Sequence, residues 1–131
     1  MKRFAMIVTL PLAASFTPGC TPARAPVPDG CYRFDDGTPL FKIAGGQGFL
    51  IAGGRVKSFR IGGWHDGTHK TVEISPAFML PGLPAGDPRR GVAEPIPSIT
   101  YSRFAFDPSR NAFEVPIAAS GEDTVKLGAP C

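Results

Sequence analysis

From residue 31 onward, short apolar runs alternate with clusters of glycine, proline and aspartate. Apolar runs bounded by such turn-forming residues are typical of β-strands. About eight of them recur at the spacing expected of a small β domain, and they predict strands at 31–34, 39–44, 48–52, 55–61, 70–80, 98–106, 112–118 and 124–128. No window combines a helical period with capping residues. The pattern therefore predicts an all-β domain.

The clearest alternation lies in the segment 70–80, where one face of an extended strand would carry Val72, Ile74, Pro76, Phe78 and Leu80. Strands of this number and length predict a small antiparallel barrel, a meander or a sandwich. Its interior is expected to contain Phe34, Phe49, Phe59, Phe78, Phe104 and Phe113. Because side chains fill a barrel of this size, a ligand cavity is not implied.

The longest stretch without a strand pattern is the proline-rich segment 81–97. Long connections in compact domains are commonly functional or disordered, and this one is expected to bind a partner. Leu83 would supply apolar contact, while Arg89 and Arg90 would pair with acidic groups. The alternative is a surface insertion without a role. On the binding interpretation, replacing residues 82–94 with a linker leaves the fold intact.

A second candidate recognition loop spans residues 62–70 and contains both histidines, His65 and His69. Asp66 and Gly67 would form its turn. The two histidines lack a third ligand nearby, so no metal site is predicted. Trp64 either anchors a partner or covers the end of the core.

The chain begins with a targeting pattern. Lys2 and Arg3 precede an apolar stretch from Phe4 to Phe16. This stretch is too short to span a bilayer as a helix, which takes about 20 apolar residues. Residues 1–19 therefore read as a signal peptide. The following Gly19-Cys20 pair, within the sequence Thr17-Pro18-Gly19-Cys20, resembles the lipobox of small exported bacterial lipoproteins. The resemblance implies that Cys20 is acylated and becomes the first residue of the mature protein.

An alternative cleavage site lies at Ala23-Arg24-Ala25 and would leave Pro26 as the first residue. Either route leaves Cys31 and Cys131 as the cysteines that can pair, which predicts a disulfide that joins the two ends of the domain. The proline-rich stretch 20–30 would then be a tether, and residues 31–131 a single β domain.

Composition and motifs exclude several functions. The net charge is +3, but without Lys2 and Arg3 the 14 basic side chains fall to 12 against 11 acidic ones. The remaining basic residues form no stripe, so nucleic-acid binding is not expected. The glycine-rich pieces 45–48 and 53–55 match no phosphate-binding loop. No catalytic motif is present, and no cofactor is predicted.

These observations predict a cell-envelope lipoprotein that is anchored in the outer membrane by its lipid alone and faces the periplasm. With the alternative cleavage, the protein would be periplasmic or secreted. Its expected role is that of a non-catalytic binding or inhibitor-like module for an envelope protein, glycan or lipid. The alternatives are a structural accessory protein of an envelope assembly and, more distantly, a secreted enzyme.

Overall fold

The computed structural model describes residues 24–119, 121–128 and 130–131. These residues contain ten strands and no helix: β1 (Gly30–Arg33), β2 (Pro39–Ala44), β3 (Gln47–Leu50), β4 (Ser58–Asp66), β5 (Lys70–Ser75), β6 (Phe78–Met79), β7 (Glu94–Pro95), β8 (Ser102–Asp107), β9 (Ala112–Pro116) and β10 (Glu122–Leu127). The predicted signal peptide and Cys20 lie outside the described residues. The described part of the chain also holds no helix that would reach across a bilayer.

Eight of the strands close into an antiparallel barrel in the order β1-β10-β9-β8-β5-β4-β3-β2, while β6 and β7 form a separate two-stranded sheet. Short turns connect most neighbouring strands, because glycine and aspartate interrupt the apolar runs. The all-β prediction is confirmed. Of the three architectures that the sequence allowed, the structure shows the barrel.

A disulfide joins Cys31, which lies in β1, to Cys131, which follows β10. The two Cα atoms lie 5.3 Å apart, within the ordinary range for a disulfide. Beside it, the N–H of Gly128 donates to the carbonyl of Cys31 at 2.8 Å. The predicted pairing is confirmed, and it fastens the seam between β1 and β10.

Aromatic rings fill the barrel interior. The Phe41 ring lies 5.1 to 5.6 Å from the rings of Tyr32, Phe59 and Phe113. The Tyr32 hydroxyl donates to the carbonyl of Pro28 at 2.7 Å, and burial raises the pKa of this phenol. No charged side chain is fully buried in the part of the chain that the structure describes. The interior is therefore packed apolar core.

Five of the six phenylalanines expected inside are buried, but the prediction for Phe49 is wrong, because 42% of this residue is exposed. Gly48 and Leu50 are the buried residues of β3, so Phe49 points outward by the period of two. Gly48 lies opposite Phe59 in the ladder. A side chain at Gly48 would collide with the Phe59 ring, so the ring occupies the space that glycine leaves.

Three predicted strands also have markedly different bounds, and the one predicted over 98–106 begins only at Ser102. The strand predicted over 70–80 leaves the barrel after Ser75, and Pro76 is exposed instead of facing the core. Proline offers no N–H to a ladder, so the pairing ends there. The strand predicted over 55–61 begins at Ser58 and continues to Asp66. It passes through the glycine pair Gly62-Gly63, which the sequence pattern marked as a break.

Residues 76–97 form a lid over one end of the barrel. The lid contains β6 and β7, and its residue Ala93 bridges Gly54 in the loop between β3 and β4. At its other side, the N–H of Leu80 donates to the carbonyl of Pro116 at 2.9 Å. Leu80 and Ala93 are both fully buried. The lid therefore contributes to the core, and replacing residues 82–94 would remove the buried Ala93 from it.

Arg90 fastens the lid to the turn between β1 and β2 and to strand β10. Its guanidinium carbon lies 4.0 Å from the centre of the Phe34 ring, and its nitrogens lie 3.2 Å from Asp36 and 3.7 Å from Asp123. The backbone N–H of Thr38 lowers the pKa of the Asp36 carboxyl, so this partner keeps its charge to lower pH than a free aspartate. Only 15% of the Arg90 side chain is exposed. Arg90 is therefore committed to internal contacts.

Replacing Arg90 with methionine is expected to lower the free energy of unfolding by about 1–2 kcal/mol, because a partly desolvated cation–π contact and two charge pairs are lost. Urea unfolding of the folded domain measures this change. Arg89→Met is the matched control, since it removes the same charge from a side chain that is 72% exposed and pairs with the nearby Asp87. The control should change stability by less than about 0.5 kcal/mol. Equal effects of the two substitutions would show that Arg90 does not fasten the lid.

The opposite end of the barrel is covered by the segment before β1. Ala25 and Val27 pack against the core, and the Asp29 carboxylate accepts the N–H of Gly45 at 3.1 Å. Residues 25–29, which the sequence placed in the predicted tether, therefore contact the barrel.

Candidate functional site

The outer wall of the barrel has one irregular point in the ladder between β4 and β5. Ile61 pairs with Ile74 and Trp64 pairs with Val72, with a register shift between them. Gly62 and Gly63 therefore lie opposite the single residue Glu73. Such β-bulges redirect neighbouring side chains and are over-represented beside functional sites.

The bulge holds a histidine–carboxylate pair. His65 Nε2 lies 2.8 Å from Glu73 Oε2, and about a third of each side chain is exposed. A Cβ at Gly62 would lie 3.3 Å from the Glu73 Cβ, and one at Gly63 would lie 3.6 Å from Glu73 Oε2. The two glycines thus leave room for the Glu73 side chain to lie along the wall and reach His65.

Beside this pair lies a depression of about 270 Å³, here called the bulge groove, which is lined by Arg60, Gly62, Glu73, Ser75, Thr100 and Tyr101. Arg60 is exposed on β4, directly opposite Ser75 in the ladder. Tyr101 precedes β8 and is 46% exposed. The groove therefore combines an exposed cation with an exposed aromatic ring.

A larger depression of about 750 Å³, the N-terminal groove, lies between the segment 24–29 and the turn that joins β2 to β3. Arg60 and Gly62 line both grooves. The two depressions are thus neighbours on the barrel wall, and together they are here called the outer groove. Its N-terminal part also includes Arg24 and Gln47.

The structure places two of the sequence-predicted site residues at this bulge. Trp64 is half-buried and packs edge-on against Phe106 at a centroid distance of 6.3 Å, so it covers the end of the core rather than standing free. His65 belongs to β4 and not to a loop. The turn lies at Gly67 to His69, because Asp66 pairs with Lys70. His69 is exposed and lines a different depression.

The remaining predicted residues lie on the lid, away from the bulge. Leu83 is half-buried and Arg89 is exposed, whereas Arg90 is engaged with the barrel. An N–H of Arg89 donates to Asp87, and this contact lowers the pKa of the Asp87 carboxyl. The structure therefore does not bring the lid residues together with His65 and Trp64.

Sequence reasoning missed Arg60, Glu73 and Tyr101 as candidate site residues. The available signal was the pair Gly62-Gly63 inside a run that otherwise continues as a strand. Glycine within a strand often marks a bulge or a close backbone approach. Among the described residues, no group of three histidine, cysteine, aspartate or glutamate side chains is arranged to hold a metal ion.

Comparison with known proteins found no matching family model, no matching curated protein and no matching solved structure.

Proposed function

We propose that this protein is an exported, lipid-anchored module of a bacterial cell envelope that binds a protein partner on the outer wall of its barrel, without catalysis. The packed interior is the observation that carries the proposal. Because aromatic rings occupy the space inside the strands, recognition falls to the outer surface. The outer groove is the concave part of that surface where Arg60 and Tyr101 are both exposed.

Two further observations support the proposal. Arginine and tyrosine are among the residues most enriched at the energetic centres of protein interfaces, and both lie at this groove. The disulfide between Cys31 and Cys131 suits an oxidising compartment, since such bonds persist mainly outside the cytosol. The lipobox-like sequence around Cys20 supports anchoring through an acyl chain.

Site-specific photocrosslinking in the cell envelope tests the proposal. A photoreactive phenylalanine analogue placed at Tyr101 is expected to give a discrete crosslinked protein. The same analogue at Lys126, which lies on β10 at the far side of the barrel, is expected to give none. The protein itself should incorporate a palmitate analogue, and Cys20→Ser should abolish this label, because the acyl chain is lost.

Identical products from both positions, or no product from any residue of the outer groove, would contradict binding at this wall. A protein that takes up no palmitate analogue at Cys20 would contradict the acyl anchor and leave the binding site in place.

A further inference from the structure

The acidic and the basic side chains of the outer groove differ in whether they have partners within the protein. The Glu73 carboxylate is paired with His65 at 2.8 Å, and the Asp29 carboxylate accepts the N–H of Gly45 at 3.1 Å. By contrast, no ion pair within the described part of the chain includes Arg60 or Arg24. Both carboxylates of the groove thus have partners within the protein, whereas its two arginines form no ion pair among the described residues.

Arg60 holds the central position. It lines both the bulge groove and the N-terminal groove, so a ligand in either depression lies beside this side chain. A guanidinium binds a carboxylate through two parallel N–H donors, which gives such pairs both strength and a defined orientation. A ligand without an acceptor at this point would desolvate Arg60 without returning a partner, which costs free energy.

The floor and the far end of the groove suit an extended chain. At the bulge, the ladder is locally disrupted, and the Glu73 side chain lies along Gly62 and Gly63 and reaches His65. The two glycines thus keep this carboxylate against the wall, beside the depression that a ligand would occupy. At the far end, Tyr101 is 46% exposed as a residue, and an apolar side chain can pack against its ring. Since the eight-stranded barrel is closed, a ligand strand cannot extend that sheet at an edge, and at this site it would lie across the outer wall.

We infer that the outer groove binds an extended acidic peptide segment of the partner, with a carboxylate on Arg60 and an apolar side chain against Tyr101. This inference rests on the proposed function and names the chemistry of its ligand. An acidic glycan is the competing occupant. It would satisfy Arg60 equally but would not require an apolar group at Tyr101.

Selection from a phage library of random peptides about 12 residues long, enough to follow the groove in an extended conformation, tests the inference. The bait is the processed protein purified from the envelope. Peptides enriched on the parent are expected to carry aspartate or glutamate close to an aromatic or aliphatic residue. Selection on Arg60→Gln should lose the acidic enrichment. Lys126→Gln, which removes the same charge from the opposite wall, should retain it.

The tightest peptide then gives a quantitative comparison by fluorescence polarisation. Arg60→Gln is expected to weaken its binding about tenfold, and Tyr101→Ser by a similar factor, as for residues at the centre of an interface. Lys126→Gln should change the affinity less than about twofold. Binding of the parent should weaken with added salt, because the pair with Arg60 is partly exposed. Unchanged urea midpoints of all variants confirm that they remain folded.

Neutral or basic consensus peptides, or acidic enrichment that survives Arg60→Gln, would overturn the inference. Binding of polygalacturonate fragments that depends on Arg60 but not on Tyr101, without enrichment of peptides, would overturn it in favour of a glycan. The proposed function is judged separately by the Tyr101 crosslink. If that crosslink forms while no acidic preference is found, binding of a protein partner is supported, and the inference that the partner contributes an acidic segment is rejected.

Discussion

Loss of the Cys31–Cys131 disulfide is expected to lower the free energy of unfolding by as much as about 4–5 kcal/mol. The bond joins residues 100 positions apart in sequence, and on the chain-entropy model it restricts the unfolded chain by that order of energy. Domains of this size have a total stability of about 5–15 kcal/mol. We therefore expect the Cys31→Ser/Cys131→Ser double variant to be largely unfolded or close to unfolding at growth temperature.

The seam itself explains why the bond should matter in the native state. β1 and β10 are matched at only two register pairs, Tyr32 with Leu127 and Arg33 with Lys126, whereas β10 and β9 are matched at five. The disulfide lies beside this short ladder. Without the disulfide, only this short ladder between β1 and β10 keeps the barrel closed at the seam.

Urea unfolding followed by near-ultraviolet circular dichroism measures the effect. The reduced parent should behave like the double variant, and the double variant should not respond to reductant. If the double variant unfolds within about 0.5 kcal/mol of the oxidised parent, strand pairing alone closes the barrel, and the stabilising role of the disulfide is rejected.

Replacing Phe41 with alanine is expected to cost about 3–5 kcal/mol, which is typical of a large aromatic ring removed from a packed core. Phe41 is fully buried, and its ring touches three other rings that come from β1, β4 and β9. Its removal would leave a cavity where four strands meet. The surrounding rings are fixed by the closed barrel, so they can collapse only partly into the space.

Phe49→Ala is the matched control, because it removes the same side chain from the neighbouring strand. Phe49 is 42% exposed, and the expected loss is below about 1 kcal/mol. Calorimetric melting of the two variants should separate them clearly. Similar losses would mean that Phe49 faces the core and that the register of β3 differs from the one described.

This contrast also shows which features the sequence could predict. Local alternation and turn residues were sufficient to locate most strands and to predict the all-β class. The run from Gly48 to Ala52 contains no alternation, so the size of the Phe49 ring suggested burial. The decisive fact is non-local. Phe59 on the next strand fills the space above Gly48, and that contact fixes which face of β3 points inward.

The contacts of the lid and the outer groove could not be predicted from the sequence for the same reason. Residues 81–97 have no strand pattern, and nothing in their local sequence shows that Ala93 bridges Gly54 or that Arg90 lies over Phe34. The outer groove joins residues from β4, from β5 and from the connection before β8. Only the closed barrel places them side by side. Features built from neighbouring residues were therefore predictable, and features built across strands were not.

The position of β10 in the barrel also determines when folding can finish as the chain emerges from a ribosome or a translocation channel. Strands β1 to β5, β8 and β9 can pair in sequence as they appear, but this sheet remains open between β1 and β9. β10 arrives last and fills that gap by pairing with both edges. Non-local closure of this kind is slow, and unpaired edges attract other chains. Any chaperone that protects this protein therefore has to act on the open sheet, before the last strand arrives and before the disulfide can form.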